Sequence, residues 1–178
     1  MLFQNDKLSV RLLEQKDECL LVKWLSDPAV LEFYEGRDNA FDLHKVHEKF
    51  YNREIGVVRC IVEFDKIPIG YIQYYQVDID ERKLYGYGNV LDVIYGMDQF
   101  IGEVAYWNNG IGTLLVNSMV EFLVEQNQAD RVVMDPQTWN ERAIRCYEKC
   151  GFKKVKLLPK NELHEGEYRD CWLIEYIK

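Results

Sequence analysis

Tyr95-Gly-Met-Asp-Gln-Phe-Ile-Gly-Glu-Val-Ala-Tyr-Trp-Asn-Asn-Gly-Ile-Gly-Thr113 is the stretch on which the reading of the fold turns. Val93 to Ile101 mixes β-branched and aromatic residues as a buried strand does, and Leu114 to Leu123 repeats apolar residues at helical spacing. A strand therefore runs through a glycine-bearing turn into a helix. Gly110 and Gly112 lack a Cβ, so a ligand can approach the backbone there, and the first N–H groups of the helix have no intrahelical partner. Those groups and the helix dipole favour a phosphate or pyrophosphate. Two glycines alone fit a plain helix entry as well, so the rest of the chain must decide.

The deciding context is Asn140-Glu-Arg-Ala-Ile-Arg-Cys-Tyr-Glu-Lys-Cys-Gly-Phe152. With the glycine turn it reads Gly110-x-Gly112, then Asn140-x-x-Ala143-x-x-x-Tyr147-x-Lys149-x-Gly151-Phe152, which resembles the acetyl-CoA-binding core of the GCN5-related N-acetyltransferases. The resemblance implies an α+β fold with a mixed, mostly antiparallel central sheet flanked by helices. It also implies acetyl-CoA as cosubstrate, contacted by Asn109, Gly110, Ile111, Gly112, Thr113, Asn140, Ala143 and Tyr147, with Phe100 and Ile101 on the adjoining strand. A backbone N–H near Phe100 is the expected donor to the acetyl carbonyl. One departure is visible: Trp107 stands where the family usually has Gln or Arg three residues before the first glycine.

Composition bounds the alternatives. At 178 residues, 48% hydrophobic and 13% aromatic, the chain fits one compact domain, residues 1–178, with a sizeable core. Met1 to Val10 lacks a signal peptide's apolar run, and no stretch approaches a membrane span, so a cytoplasmic protein without membrane contact is expected. With 22 Lys and Arg against 30 Asp and Glu, the formal net charge of −8 repels nucleic acid and attracts cations. The five cysteines, Cys19, Cys60, Cys146, Cys150 and Cys171, are odd in number and lack a disulfide framework's spacing, which points to a reducing compartment and buried or half-buried structural thiols. No set of residues has zinc-ligand spacing, so no metal is expected.

In order, Leu8 to Leu13 reads as a first strand, Asp17 as the cap of a helix carrying Leu20, Leu21, Trp24 and Leu25, and Ser26-Asp27-Pro28 as the entry to a short helix, Ala29 to Phe33. Asp42 caps Leu43 to Tyr51. Val57 to Phe64 and Ile67 to Val77 form a hairpin about Asp65-Lys66, and Asp78 to Asn89 reads as a loop or lid. Val90 to Ile101 is a strand, followed by the glycine turn and a helix to about Gln126. Arg131 to Met134 is a strand, and Asn140 caps a helix ending at Gly151. Val155 to Leu158 and Cys171 to Ile177 are strands joined by an acidic loop, Lys160 to Asp170.

Further peptides resemble one branch of the superfamily, the aminoglycoside 6'-N-acetyltransferases, including the acetyltransferase portion of bifunctional aminoglycoside-modifying enzymes. They are Lys23-Trp-Leu25 with Asp27, Val30-Leu-Glu-Phe-Tyr34 with Gly36-Arg-Asp38, Pro68-Ile-Gly-Tyr71, Tyr95 to Gly102, Asp135-Pro136 and Leu163-His-Glu-Gly166. The acceptor implied is a polycation, which calls for carboxylates and flat aromatic surfaces. Candidates are Asp98, Glu103, Asp135 and Glu165 with Trp24, Tyr34 and Tyr74. Asp98 interrupts an apolar strand and is the candidate base for the substrate ammonium, or its anchor. Tyr147 is the candidate proton or hydrogen-bond donor to the CoA thiolate, or a core aromatic. The same reaction on a polyamine, an amino sugar or a protein N-terminus, and a non-catalytic acetyl-CoA-binding module, are the alternatives. A monomer is favoured slightly over an oligomer.

Overall fold

The computed structural model describes residues 1–52 and 54–178. Among them are eight strands, β1 Phe3–Asn5, β2 Leu8–Leu12, β3 Val57–Phe64, β4 Ile67–Gln76, β5 Ile94–Ile101, β6 Arg131–Met134, β7 Lys153–His164 and β8 Glu167–Ile177. Six α-helices accompany them, α1 Glu18–Trp24, α2 Pro28–Leu31, α3 Leu43–Phe50, α4 Ile79–Tyr85, α5 Ile111–Gln126 and α6 Glu141–Lys149. The strands form one sheet in the order β1-β2-β3-β4-β5-β6-β8-β7. β1–β2, β2–β3 and β6–β8 are antiparallel and β5–β6 is parallel, the mixed α+β sheet expected.

Backbone proximity divides the chain into two units. The first comprises Met1–Gln73, Gln99–Gly112 and His164–Gly166. Its β3–β4 hairpin turns on Asp65 and Lys66, both left-handed at φ 51 and 66, the pairing that matches strand twist in a two-residue turn. Leu21, Trp24, Leu25, Val46, Phe50, Ile61, Tyr71 and Phe100 make its core. Asp17 precedes α1 but does not cap it, contrary to expectation. Its buried carboxylate instead takes two nitrogens of Arg11 at 2.7 and 2.8 Å and the N–H of Glu14 at 2.9 Å. Burial works to raise its pKa, and these donors outweigh burial and lower it.

The second unit comprises Tyr74–Asp98, Thr113–Leu163 and Glu167–Lys178, with Val77, Tyr85, Ile94, Val133, Leu158 and Leu173 in its core. Two expectations are corrected here. Asp78 to Asn89 is loop only in its last residues: the Asp78 carboxylate accepts from the N–H groups of Asp80 and Glu81, both at 2.8 Å, and starts α4, which Gly86 ends. Arg82 braces that helix by donating to the carbonyls of Val77, Val90 and Asp92. The acidic loop before Asp170 is likewise strand, because β7 and β8 continue to a two-residue turn at Glu165 and Gly166. Smaller differences are β1, which was not foreseen, and the start of β5 at Ile94 rather than Val90.

Candidate active site

In the first unit the stretch after β5 forms a short 3-10 turn, Val104–Tyr106, then the glycine turn. Gly110 is left-handed at φ +77 with open space where a Cβ would stand, and Asn108, Asn109 and Gly110 are exposed. Ile111 is buried and anchors the start of α5, whose first turn carries no acidic side chain. The residues therefore fit an anion held by backbone N–H groups. Trp107 is engaged within the protein: its indole N–H donates to the carbonyl of Ile101 at 2.8 Å and its ring meets Phe33 edge-on. The family's polar residue is here a packing residue. Asn109 donates to the Ala105 carbonyl at 3.4 Å.

Trp24 is buried, edge-on to the buried ring of Phe100, which Tyr34 also approaches at 4.6 Å between ring centres. The indole N–H of Trp24 donates to Glu103 at 2.9 Å, and Lys23 donates to the same carboxylate. Arg37 grips Glu165 through Nε and Nη2, at 2.6 and 2.8 Å, and holds that carboxyl well below the usual range, at about 2. Glu103 and Glu165 thus already have cations of their own.

The second unit holds a cluster of carboxylates. Gly96 and Asp98 lie on one face of β5, since side chains alternate along a strand. A Cβ at Gly96 would stand 2.7 Å from the Tyr75 ring, so glycine is what lets that ring lie there. Burial, then Asp98, raises the Tyr75 phenol's pKa. Asp135 accepts from Asn161 at 3.0 Å and from the Tyr85 hydroxyl at 3.4 Å. Burial, then the charge of Asp98, pushes the Asp135 carboxyl up to about 7, against the Asn161 donor, and Glu162 and Glu81 push the same way. Glu81, from α4, is itself raised by burial and by Asp78 and Asp98. The charges acting most strongly on Asp135 are all negative.

Asp98 and Asp135, both candidate acceptor ligands, thus lie close enough to act on one another's charge, and Tyr75, Glu81, Tyr85, Asn161 and Glu162, which were not named from the sequence, stand with them. Tyr74 lies elsewhere, buried against Tyr95 and Phe122. The signal that separates the neighbours is phase: Tyr74 alternates in register with buried Ile72, Tyr75 with Gln73. Also in this unit, Asn140 caps α6 by accepting from the N–H of Ala143 at 3.3 Å, which commits that N–H to the cap. Tyr147 is half-buried with its ring 6.3 Å from that of Phe152, and Thr113 meets Cys146. Among the described residues no group of three His, Cys, Asp or Glu is arranged to hold a metal.

The chain belongs to the acetyltransferase (GNAT) family: the profile of that domain matches residues 14–159. Within the family it is similar to aminoglycoside N(6')-acetyltransferase type 1 of Klebsiella pneumoniae, 30% identical over 153 residues that span 84% of this chain and 76% of that protein. A solved structure of AAC(6')-Ib in complex with ribostamycin and coenzyme A superposes with a TM-score of 0.76 at 25% identity, covering 97% of this chain and 94% of that one. Spermidine N-acetyltransferase from Vibrio cholerae, in complex with CoA and spermine, shares the fold at a TM-score of 0.75 and 16% identity, over 97% and 96% of the two chains.

Proposed function

We propose that this chain is an enzyme that transfers the acetyl group of acetyl-CoA to the 6'-amine of an aminoglycoside, by direct attack in a ternary complex. The observation that carries the acceptor is the gathering of Asp98, Asp135 and Glu81, in which burial and then the charge of Asp98 raise the Asp135 carboxyl, and burial, Asp78 and Asp98 raise Glu81. A polyammonium ligand is complementary to such a gathering of carboxylates and relieves their mutual repulsion. Glu103 and Glu165, already paired within the protein, are weaker acceptor ligands on this reading; Trp24 holds Glu103 through its indole N–H, and Tyr34 packs on Phe100.

Acetyl-CoA supplies an activated acyl thioester. Backbone N–H groups of Gly110, Ile111, Gly112 and Thr113 are the proposed pyrophosphate donors, with Asn109 next to them in sequence, Asn140 at the start of α6 as a further contact, and Phe100 and Ile101 beside the pantetheine arm. Asp98 orients the acceptor's ammonium and takes its proton, and Tyr147 donates to the departing thiolate. Acetylation removes a cation from the drug, which is the basis of resistance. The family match, running across most of the chain, supports one acetyltransferase domain over residues 1–178. Five free cysteines and a net charge of −8 support a cytoplasmic monomer without nucleic-acid or membrane partners.

The test is steady-state thiol release with kanamycin and tobramycin against spermine and glucosamine, with the acetylated nitrogen located by NMR. Turnover of the aminoglycosides at the 6' position is expected; turnover of the polyamine alone would reject the acceptor.

A further inference from the structure

The five cysteines differ in their surroundings. Cys60, Cys150 and Cys171 are buried, Cys19 is exposed and Cys146 is half-buried. Burial pushes the thiols of Cys60 and Cys171 up to about 12, where thiolate is scarce. Cys146 is held the other way. Its Sγ lies 3.4 Å from Oγ1 of Thr113, in the first turn of α5, and Sγ of Cys150 lies 3.6 Å from the Thr113 carbonyl. Two thiols therefore converge on one residue at the positive end of a sixteen-residue helix with no acidic side chain in its first turn. A helix N-terminus and a hydroxyl donor both favour sulfur as an anion. Hydrogen bonding from Cys150, then from Thr113, with Lys149 adding positive charge, lowers the Cys146 thiol against burial, while Cys150 keeps its proton.

We propose that Cys146 is a modification site for low-molecular-weight disulfides, and that its adduct displaces Thr113 and so excludes coenzyme A. In the step, the Cys146 thiolate attacks one sulfur of R–S–S–R. The old S–S bond breaks as the new one forms, RS⁻ leaves, and the reagent is reduced to one thiol as Cys146 is oxidised. Contact at 3.4 Å leaves no room between Cys146 and Thr113 for a second sulfur and its substituent. The exclusion of coenzyme A rests on the reading given above that the first turn of α5 holds the donor's pyrophosphate; the modification site does not.

The probe is 5,5'-dithiobis(2-nitrobenzoate), applied to protein carrying Cys19→Ser to remove the exposed competitor. One equivalent of thiolate should be released at least about tenfold faster than the rest, with the adduct at Cys146 by peptide mass. Cys146→Ser should abolish the fast phase, with Cys146→Ala as the second variant should the serine fold poorly. The adducted protein should lose coenzyme A binding by calorimetry and regain it with dithiothreitol. A fast phase that survives in Cys146→Ser, labelling of Cys146 no faster than of the buried thiols, or unchanged coenzyme A binding by the adduct would each overturn the proposal. If the untreated protein binds no coenzyme A, the reading of α5 fails instead, and the labelling still decides the modification site.

Discussion

Asp98 shares its neighbourhood with Asp135, Glu81 and two phenols, and each buried negative charge makes the next harder to form. Substituting Asp98→Asn should lower kcat/KM for kanamycin by about 10²–10⁴ while the calorimetric Kd for coenzyme A stays the same. An unchanged kcat/KM would remove Asp98 from the chemistry. Asp135 carries a pH signature as well. Its folded-state pKa, up to about 7, is raised above the ordinary value for Asp, so the folded protein binds more protons than the unfolded chain in between. That contribution to stability is present at low pH and is lost as pH rises from about 4 towards 7, with a slope of at most about 1.4 kcal/mol per unit. Asp135→Asn should therefore be increasingly stabilised relative to the parent over that window, as read by urea unfolding at several pH values. A difference independent of pH would mean that Asp135 is not held proton-rich.

At the scale of elements, close approach decides more than propensity. Gly102, just after β5, faces Trp24: an added Cβ would stand 2.2 Å from the indole, and Trp24 is buried with its N–H tied to Glu103. Gly102→Ala should cost about 3 kcal/mol or more in urea unfolding, since an overpacked core site has nowhere to move its ring. A cost under about 1 kcal/mol would show that Trp24 yields. The fold's order was legible because β3, β4, β5 and α5 carry strong apolar patterns, and caps at Asp42 and Asn140 are written in single residues. α4 was not legible as a helix, because its charged residues and following glycines look like loop, although Asp78 and Gly86 frame it. β7 failed for another reason: an edge strand exposed along most of its length shows no alternation. The same limit governs the site. Asp98 stood out as a charge in an apolar strand, whereas Tyr75 and Glu81 belong to the cluster only through a glycine and a helix brace that the sequence does not advertise.

For the whole molecule the governing quantity is the net charge of −8 acting on two ligands of opposite sign. The field of the protein draws an aminoglycoside polycation in and opposes the anionic donor, which must rely on local backbone donors at short range. Salt screens the long-range part first, the Debye length shrinking from about 10 Å at 0.1 M to about 3 Å at 1 M. Raising ionic strength across that range should lower kcat/KM for the aminoglycoside several-fold to about tenfold, chiefly through association. The same change should leave kcat/KM for acetyl-CoA level or raise it, because screening removes a repulsion. Parallel measurements with each substrate varied at saturating partner read the two slopes separately. Opposite signs would tie recognition of the acceptor to the acidic surface as a whole, whereas equal slopes would confine it to the few carboxylates around Asp98.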